Sequence, residues 1–386
     1  MTERENLIAI LSGQKPDFIP HFNMGFNNER AIHTLLSSDC YDERTFYIPS
    51  DHPPMQTFPR HPRSDSSRQK AVRFAKALLT PCIGVGDGGV TPFGHGGVAE
   101  IQPRVIERSD SYKVLQYEGG HKRKIMYDPV SIQYFSFPLT KQSDLRELAL
   151  PNMSDDLRYR DVSRDAEFFK KEGFIPTASI QGFFSGIHNS FMSMEDTMIN
   201  LLLEPDFMHA VINRLVGMNM EAVDQVMERG VEIIDICDDL GNRDGLLISP
   251  QLFETFFLPH YRTLCSTVHE KGGWVHFHSH GNIEEMMPLF LNAGFDMINP
   301  FDLQEVPQVL DLMKKYGDRI IFVGGIDSSF LYRDQDHQFE HLNYWLPRYI
   351  EACEKGYALM TSNLSADLGK EKFDQTMKLI SDVTNR

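Results

Sequence analysis

The feature that most constrains the fold of this chain is the regular alternation of two kinds of run in its second half. Short apolar runs of strand type are separated by longer runs with helical periodicity. The strand-like runs cover 273–278, 296–299, 319–323 and 357–361, and the helix-like runs cover 283–292, 306–316, 340–355 and 370–384. Strands and helices taking turns in this way predict parallel strands joined by crossover helices. So many units in series, without a nucleotide-binding start, predict an α/β fold of the (β/α)8 TIM-barrel type.

The first half extends this pattern less regularly. Thr2-Glu3-Arg4-Glu5 has the form of a capping box and predicts a short N-terminal helix. Further strand-like runs cover 17–22, 175–180 and 231–236, and further helix-like runs cover 165–172, 195–202 and 205–229. These runs continue the alternation of strand and helix toward the N-terminus.

A region rich in Pro, Asp, Ser and Gly interrupts the pattern from Tyr41 to about Pro103. We expect long loops there, covering one face of the barrel. The run 84–89 satisfies the G-x-G-x-x-G pattern, but no helical run follows it, so we interpret it as a pliable loop or lid. Alternating residues over 107–138, around a Gly-Gly turn, predict a β-hairpin. We therefore expect one barrel domain over 1–386, with a loop-rich insertion and hairpin at about 40–140.

The charge of the chain limits its partners. Its 54 acidic and 38 basic residues give a formal net charge of −16, and no run of Lys or Arg resembles a phosphate-binding groove. This balance argues against nucleic acid and anionic membranes and favours a substrate that is neutral, cationic or delivered by a protein. Five scattered cysteines do not form a disulfide framework. With no signal-like start and no apolar run of membrane-spanning length, we expect a cytoplasmic protein.

Three histidines in five positions close one predicted strand. The two-residue period of a strand places His276, His278 and His280 on one side, with Val275 and Phe277 on the other. Two imidazoles at i and i+2 can meet one zinc ion that keeps a position open for substrate, or they can act as acid and base. The alternative is one hydrogen-bonded core histidine and another that positions a loop.

Other candidates follow two further predicted strands. Asp238 and Asp239 come after the run 231–236, where a carboxylate can accept a proton, orient a histidine or bind a metal. The alternative is an Asp-rich turn that caps the next helix. Phe183 and Phe184 follow the run 175–180 and can form the apolar wall of a pocket, with ordinary core packing as the alternative.

Several motifs resemble one known family. The chain contains Asp238-Asp239-Leu240-Gly241, Phe257-Leu258-Pro259-His260-Tyr261, His278-Ser279-His280-Gly281-Asn282 and Val323-Gly324-Gly325-Ile326-Asp327. It resembles the uroporphyrinogen decarboxylase superfamily, especially the corrinoid-dependent methyltransferase branch. The resemblance spans nearly the whole chain and is weakest from about 40 to 110.

The resemblance favours the methyltransferases over the decarboxylase itself. The decarboxylase has arginines after its first strand to hold the carboxylates of its substrate, whereas this chain has neutral residues such as Asn23 there. We therefore expect a methyl group to move from a small methylated substrate, a methoxy compound or an amine, to a corrinoid carried by a partner protein. The alternatives are a decarboxylase-like lyase acting on a carboxylated substrate and a non-catalytic binding barrel. The superfamily also favours a homodimer.

The resemblance implies roles for individual residues. We expect His278, Asp239 and Asp238 to be catalytic. We expect the substrate to be bound by Asn23, Phe183, Phe184, His276 and Asn363.

The resemblance also implies a zinc site. In the methyltransferase branch, zinc is held by a His-x-Cys pair on this strand and by a Cys after the last strand. Here His278 and His280 form the pair, but the chain after the last strand offers neither Cys nor His. Either Asp238, Asp239 or His276 completes a rearranged zinc site, or no metal binds and the histidines act directly.

Overall fold

The computed structural model describes residues 1–22, 65–89, 104–127, 130–242, 244–326, 329–360 and 370–385. Within these ranges, the chain forms a seven-stranded parallel sheet, whose strands are connected by most of the helices. It also forms a separate four-stranded antiparallel sheet.

The strands and α-helices have the following bounds. The strands are β1 (Cys82–Gly89), β2 (Arg104–Arg108), β3 (Tyr112–Gln116), β4 (Lys122–Tyr127), β5 (Val130–Ser136), β6 (Ile175–Gln181), β7 (Ile233–Cys237), β8 (Gly241–Asn242), β9 (Gly245–Leu246), β10 (Trp274–His278), β11 (Met297–Asn299), β12 (Ile321–Val323) and β13 (Tyr357–Ala358). The helices are α1 (Glu3–Leu11), α2 (Asp65–Ala77), α3 (Val162–Lys171), α4 (Phe183–Gly186), α5 (Met194–Leu203), α6 (Pro205–Glu228), α7 (Pro250–Phe256), α8 (Leu258–Glu270), α9 (Met287–Ala293), α10 (Val309–Tyr316), α11 (Gln335–Ala352) and α12 (Lys370–Thr384). A π-helix covers Ile187–Phe191.

The strands of the parallel sheet lie side by side in the order in which the chain makes them. That order is β1-β6-β7-β10-β11-β12-β13. His21 makes an isolated parallel bridge to Leu359, directly after β13, and adds an eighth position to the sheet. This bridge replaces the longer strand predicted over 17–22. Eight parallel positions in chain order, with helices between them, confirm the predicted (β/α)8 barrel.

Side chains that point inward from the strands meet in one apolar cluster. Leu7 and Ile10 of α1 belong to the same cluster, so α1 packs against one end of the barrel interior. The strand residues of this cluster are Phe22, Cys82, Ile175, Ile233, Trp274, Met297, Ile321 and Ala358. Because they come from all eight positions, the sheet curls around a common interior. Outward-pointing residues such as Val275 and Phe277 instead join the larger core against the helices.

The N-terminal helix begins as the sequence predicted. The Thr2 hydroxyl accepts a hydrogen bond from the Glu5 amide, and the Glu5 carboxylate accepts one from the Thr2 amide. This reciprocal pair satisfies two of the free N–H groups at the helix start.

The expectation of loops from 41 to 103 was wrong for two of its segments, α2 and β1. Strand β1 pairs with β6 in parallel, with Cys82 opposite Ile175, so the glycine-rich run is part of the barrel wall rather than a lid. Glycine has no side chain that could reveal the alternation of a strand, so the sequence of this run carries no strand signal.

The predicted hairpin is the centre of a larger antiparallel sheet. β3 and β4 pair around the Gly-Gly turn, and β2 and β5 flank them in the order β2-β3-β4-β5. Leu115 and Ile125 are buried in a small core of this sheet.

Candidate active site

Three neighbouring strands bring polar side chains to the carboxyl end of the barrel. In the ladder, His276 of β10 stands beside Asp235 of β7, and His278 stands between Cys237 of β7 and Asn299 of β11. Parallel strands end at one edge of the sheet, so inward-pointing side chains at these positions form one cluster.

His276 is the deeper of the two strand histidines. Its Nδ1 lies 3.1 Å from Asp235 Oδ1, and the His276 side chain is completely buried. The ring of Phe22 lies against the imidazole, with ring centroids 4.4 Å apart. His276 Nε2 is also buried and has no hydrogen-bond partner.

His278 is held by an amide. Its Nδ1 lies 2.8 Å from Asn299 Oδ1, and since an amide oxygen only accepts, Nδ1 carries the proton. Burial lowers the pKa of His278 to about 4, although the Asp239 carboxylate, 3.9 Å from His278 Nε2, acts in the opposite direction. At neutral pH the ring is therefore uncharged, and Nε2 presents a lone pair.

His280 and Glu305 form the rim of the cluster. His280 Nδ1 lies 3.0 Å from Glu305 Oε2, which also accepts a hydrogen bond from the Gly281 amide. The His280 amide donates to Asp239 Oδ1 at 3.0 Å. Asp239 is therefore fixed through one oxygen, while 56% of its side chain is exposed at the mouth of the barrel.

Asp238 is buried and fully engaged. It accepts hydrogen bonds from the Phe184 amide at 3.2 Å, the Ser185 amide and hydroxyl at 2.7 Å each, and the Tyr261 hydroxyl. Burial raises the pKa of Asp238 above its usual value, and the four hydrogen bonds offset this rise only in part. The expectation that Asp238 acts on the substrate does not agree with this geometry, because its oxygens already bind the start of α4 and Tyr261.

Gly182 allows Asp238 to come this close. A Cβ on Gly182 would lie 2.1 Å from the Asp238 Cβ and 2.3 Å from its Cγ, much closer than any real contact. A glycine is therefore required where the chain leaves β6, immediately before α4.

Phe183 and Phe184 lie in the core rather than on the barrel interior. Both are completely buried in the larger apolar cluster. The Phe183 ring packs against Tyr261 with centroids 4.4 Å apart, and Phe184 packs against His188 at 4.8 Å. The expectation that these rings form the wall of a substrate pocket does not agree with this packing. Asn23 and Asn363, the other two residues expected to bind substrate, lie outside the described residues.

The sequence analysis missed four residues that belong to the cluster. Asp235, Asn299 and Glu305 each bind one of the three histidines. His188 lies on the π-helix after α4, and such insertions occur often at functional sites. Burial lowers the pKa of His188 to about 4, while the Asp239 carboxylate acts in the opposite direction. Asp235 lies 41 residues before His276, so no local motif joins the two, although the inward phase of Asp235 on β7 follows from the strand period.

The histidine pair does not by itself fit a zinc ion. Among the residues that the structure describes, no group of three His, Cys, Asp or Glu side chains is placed to hold a metal. The His278 and His280 rings stand nearly perpendicular, at 85°, and Nδ1 of each already has a partner in Asn299 or Glu305. We therefore assign no chemical step to zinc.

The charges around the cluster are carboxylates and imidazoles. Within the described ranges, the buried basic side chains are Arg68, Lys113, Arg123 and Arg158, on α2, β3, β4 and the segment before α3. These lie outside the barrel strands. Among the described residues, no fully buried arginine or lysine therefore comes from a strand of the barrel.

A separate cavity of about 720 Å³ opens at the other end of the barrel. It lies between the segment after α1 and helix α11, with Phe18, Leu346 and Tyr357 in its wall. None of the candidate residues that the structure describes lines it. Among the described residues, no helix combines the length and apolar character needed to cross a membrane.

The strands of the parallel sheet are neighbours in the order of the chain, which defines a (β/α)8-barrel protein. The polar side chains where these strands end place the candidate site at the carboxyl end of the barrel. Residues 134–358, more than half of the chain, match the family model of uroporphyrinogen decarboxylase (URO-D). The chain belongs to this family.

A solved structure shows the same fold. The chain is similar to a methyltransferase from Methanosarcina mazei, with 13% identity, a TM-score of 0.67 and 99% of each chain covered. It is less similar to a B12-independent methionine synthase from Shewanella sp. W3-18-1, with 12% identity, a TM-score of 0.41 and 82% and 87% of the two chains covered. No curated protein sequence matches the chain. At 13% identity, the likeness to the methyltransferase from Methanosarcina mazei shows the fold alone.

Proposed function

We propose that this protein is a methyltransferase that moves a methyl group from a small methylated donor, a methoxy compound or an amine, to a corrinoid carried by a partner protein. Membership of the family and the full-length likeness to a methyltransferase support this reaction. The observation that carries the choice of substrate is the charge of the site. Carboxylates and an uncharged imidazole suit a neutral or cationic donor better than a polycarboxylate, for which the described barrel strands supply no buried arginine or lysine.

The residues divide into two roles. His278 Nε2 and Asp239, 3.9 Å apart, face the substrate and are the catalytic candidates. Asp238 is a positioning residue, because it fixes α4 and Ser185, whose hydroxyl accepts a hydrogen bond from the Asp239 amide at 3.1 Å. His276 contacts the substrate more deeply, and we keep Asn23 and Asn363 as proposed substrate-binding residues.

The proton requirement depends on the donor. The corrinoid, when bound with its partner protein, supplies the nucleophile that takes the methyl group. From a methyl ether, the oxygen leaves with the bonding electrons and needs a proton, which Asp239 or His278 would provide. From a methylated ammonium ion, the nitrogen leaves as a neutral amine and needs none. A His278 pKa of about 4 makes that imidazole a scarce proton source at neutral pH, which favours the amine.

Methyl transfer can be measured directly. The purified chain is mixed with a reduced corrinoid protein and a set of methoxylated compounds and methylated amines, and methylation of the corrinoid is followed by its visible absorbance. We expect transfer from at least one donor. With a methyl ether as donor, the rate should fall by about 10²-fold or more in His278→Ala and Asp239→Asn, because the leaving oxygen needs a proton. Transfer from none of the donors, or release of carbon dioxide from a carboxylated compound without any corrinoid, would refute the proposal, and the second result would establish a lyase.

Elemental analysis tests the role of metal. We expect the His278→Ala, His280→Ala double variant and the wild type to contain the same low amount of zinc. One zinc per chain in the wild type, lost in the double variant, would contradict our metal-free assignment and would require a third ligand from outside the described residues.

A further inference from the structure

The cavity of about 720 Å³ at the start of the barrel strands has no role in the mechanism above. Its volume lies within the usual range of small-molecule sites, roughly 300–1,000 Å³. Its wall comes from the segment after α1, from α11, from the start of β13 and from the end of α12. All of its lining residues belong to the described part of the chain, and none belongs to the candidate active site. A ligand bound there would occupy a second site, separate from that of the methyl donor.

The inner wall of this cavity is apolar. Ile10, Leu342 and Leu346 line it and are at most 2% exposed. Phe18 and Val383 line it as well and are half-buried. A concave apolar wall of this kind favours a ligand with a hydrocarbon body, because the burial of apolar surface on both sides stabilises the complex.

The buried polar groups of the wall are already paired within the protein. The Tyr357 hydroxyl donates to the Gly324 carbonyl, and the Thr384 hydroxyl donates to the Ile380 carbonyl at 2.9 Å. Backbone amides of the wall also have acceptors, at Asp17, Phe18, Ile19, Cys353, Lys355 and Gly356. An anionic group that entered the inner wall would find these donors occupied and would be costly to bury.

The charges at the rim come in both signs. Lys15 and Lys355 line the cavity together with Asp17, Glu351 and Glu354. Ammonium and carboxylate groups mixed in this way give little electrostatic preference to an anion or a cation. The rim therefore agrees with the inner wall in favouring an uncharged ligand.

One acceptor in the wall has lost its usual partner. Pro347 lies inside α11 and has no N–H, so the Asn343 carbonyl cannot receive the hydrogen bond that a residue four positions later normally donates in a helix. Asn343 and Pro347 both line the cavity, and both are exposed. The Asn343 carbonyl is therefore an acceptor toward the mouth of the cavity for a hydroxyl or N–H group of a ligand.

We propose that this cavity binds a small uncharged molecule with an apolar body and one hydroxyl or N–H group, which donates to the Asn343 carbonyl. The apolar body lies against Leu342 and Leu346, and the donor group lies toward the mouth. This site is separate from the proposed methyl transfer and does not depend on it, so its test needs neither a corrinoid nor a methyl donor.

Calorimetry with naphthol and naphthoate on the full chain tests the choice of an uncharged ligand. The two probes share one ring system and differ in charge. We expect naphthol to bind with a Kd at least tenfold lower than that of naphthoate, since the wall offers the carboxylate no free donor. Absence of naphthol binding up to its solubility limit, or equal Kd values for the two probes, would overturn the proposal.

The variant Pro347→Ala tests the hydrogen bond to Asn343. It restores the N–H that the helix lacks, and alanine suits a helix interior, so we expect the variant to fold. The Kd of naphthol should rise by about threefold to tenfold, because the restored N–H competes for the Asn343 carbonyl. Methylnaphthalene, which has a methyl group in place of the hydroxyl, should bind both proteins within about twofold of each other. Equal changes for the two probes would refute the hydrogen bond.

Two isoleucines of similar exposure test the location of the site. Ile350 lines the cavity and is 49% exposed, whereas Ile199 on α5 does not line it and is 46% exposed. Ile350→Glu brings a charge to the apolar wall and should raise the Kd of naphthol at least fivefold, and Ile199→Glu should leave it unchanged. His278→Ala should also bind naphthol like the wild type. Full binding by Ile350→Glu, or loss of binding in His278→Ala, would refute the location.

Discussion

The Tyr261 hydroxyl joins two parts of the site by accepting a hydrogen bond from the Phe183 amide at 2.8 Å and donating one to Asp238. Both bonds are buried. In Tyr261→Phe, the buried Phe183 amide loses its partner, and Asp238 Oδ2 keeps only the Phe184 amide of its two donors. We expect the free energy of unfolding to fall by about 1–3 kcal/mol, measured by urea denaturation.

A tyrosine on the surface provides the control for this change. Tyr344 is 52% exposed, and Tyr344→Phe should change the free energy of unfolding by less than about 0.5 kcal/mol. An equal effect of the two substitutions would show that the Tyr261 hydroxyl does not stabilise the site.

Replacement by asparagine should affect stability at Asp238 and activity at Asp239. Asp238→Asn replaces an acceptor of four hydrogen bonds by an amide whose NH₂ faces donors, so we expect a loss of about 2–4 kcal/mol in stability. Asp239→Asn changes a half-exposed side chain and should leave stability within about 0.5 kcal/mol while reducing methyl transfer. Thermal melts and the corrinoid assay on both variants measure the two effects. A stable Asp238→Asn variant with low activity would instead give Asp238 a direct catalytic role.

His121 should make the protein sensitive to acid. Burial lowers the pKa of His121 to about 2, with a smaller contribution from the Arg123 guanidinium, whereas an unfolded histidine titrates near pH 6.5. Below about pH 6.5 the unfolded state therefore binds a proton that the folded state does not, and stability falls as the pH falls, by up to about 1.4 kcal/mol per unit. Above pH 6.5 this contribution vanishes.

The substitution His121→Phe isolates this effect. It keeps a ring to stack on Tyr117, whose centroid lies 4.5 Å from that of His121. Urea denaturation at pH 7, 6 and 5 should give a smaller decrease for the variant than for the wild type. Identical decreases would assign the acid sensitivity to other groups.

The ion pair between Arg68 and Asp165 connects α2 to α3 inside the protein. Arg68 Nε donates to Asp165 Oδ1 at 2.6 Å, and neither side chain is exposed. Asp165→Ala removes a buried countercharge and should cost about 3–5 kcal/mol of stability. Asp156, 91% exposed and 3.0 Å from Arg229, is the matched surface pair, and Asp156→Ala should cost less than about 1 kcal/mol. Similar costs would contradict the importance of burial for this pair.

The sequence was most informative where the side-chain period is clear. The barrel and the orientation of β10 follow from apolar spacing, the capping box follows from Thr2 and Glu5, and the structure confirms all three. Helix α2 carried a weak signal of the same kind, because its buried residues Ala71, Val72 and Ala75 are spaced for one helix face. Their small size and the many polar neighbours hid that face among the residues of a presumed loop.

The partners of the histidines could not be predicted, since they depend on which strands become neighbours. Asp235 meets His276, and Asn299 meets His278, only because β7 and β11 flank β10. The role of Asp238 could not be predicted either. An aspartate directly after a strand looks the same in the sequence whether its carboxylate binds a substrate or the start of a helix. Only the four donors around it distinguish the two roles.

The parallel contact between the first and last positions of the barrel joins the two ends of the chain. The Phe22 amide donates to the Leu359 carbonyl at 2.9 Å, and the Leu359 amide donates to the Pro20 carbonyl at the same distance. During synthesis, Pro20 and Phe22 leave the ribosome long before Leu359 is made. The barrel interior must therefore stay open until translation is almost finished, and the nascent chain exposes a free strand edge and the apolar interior for most of that time.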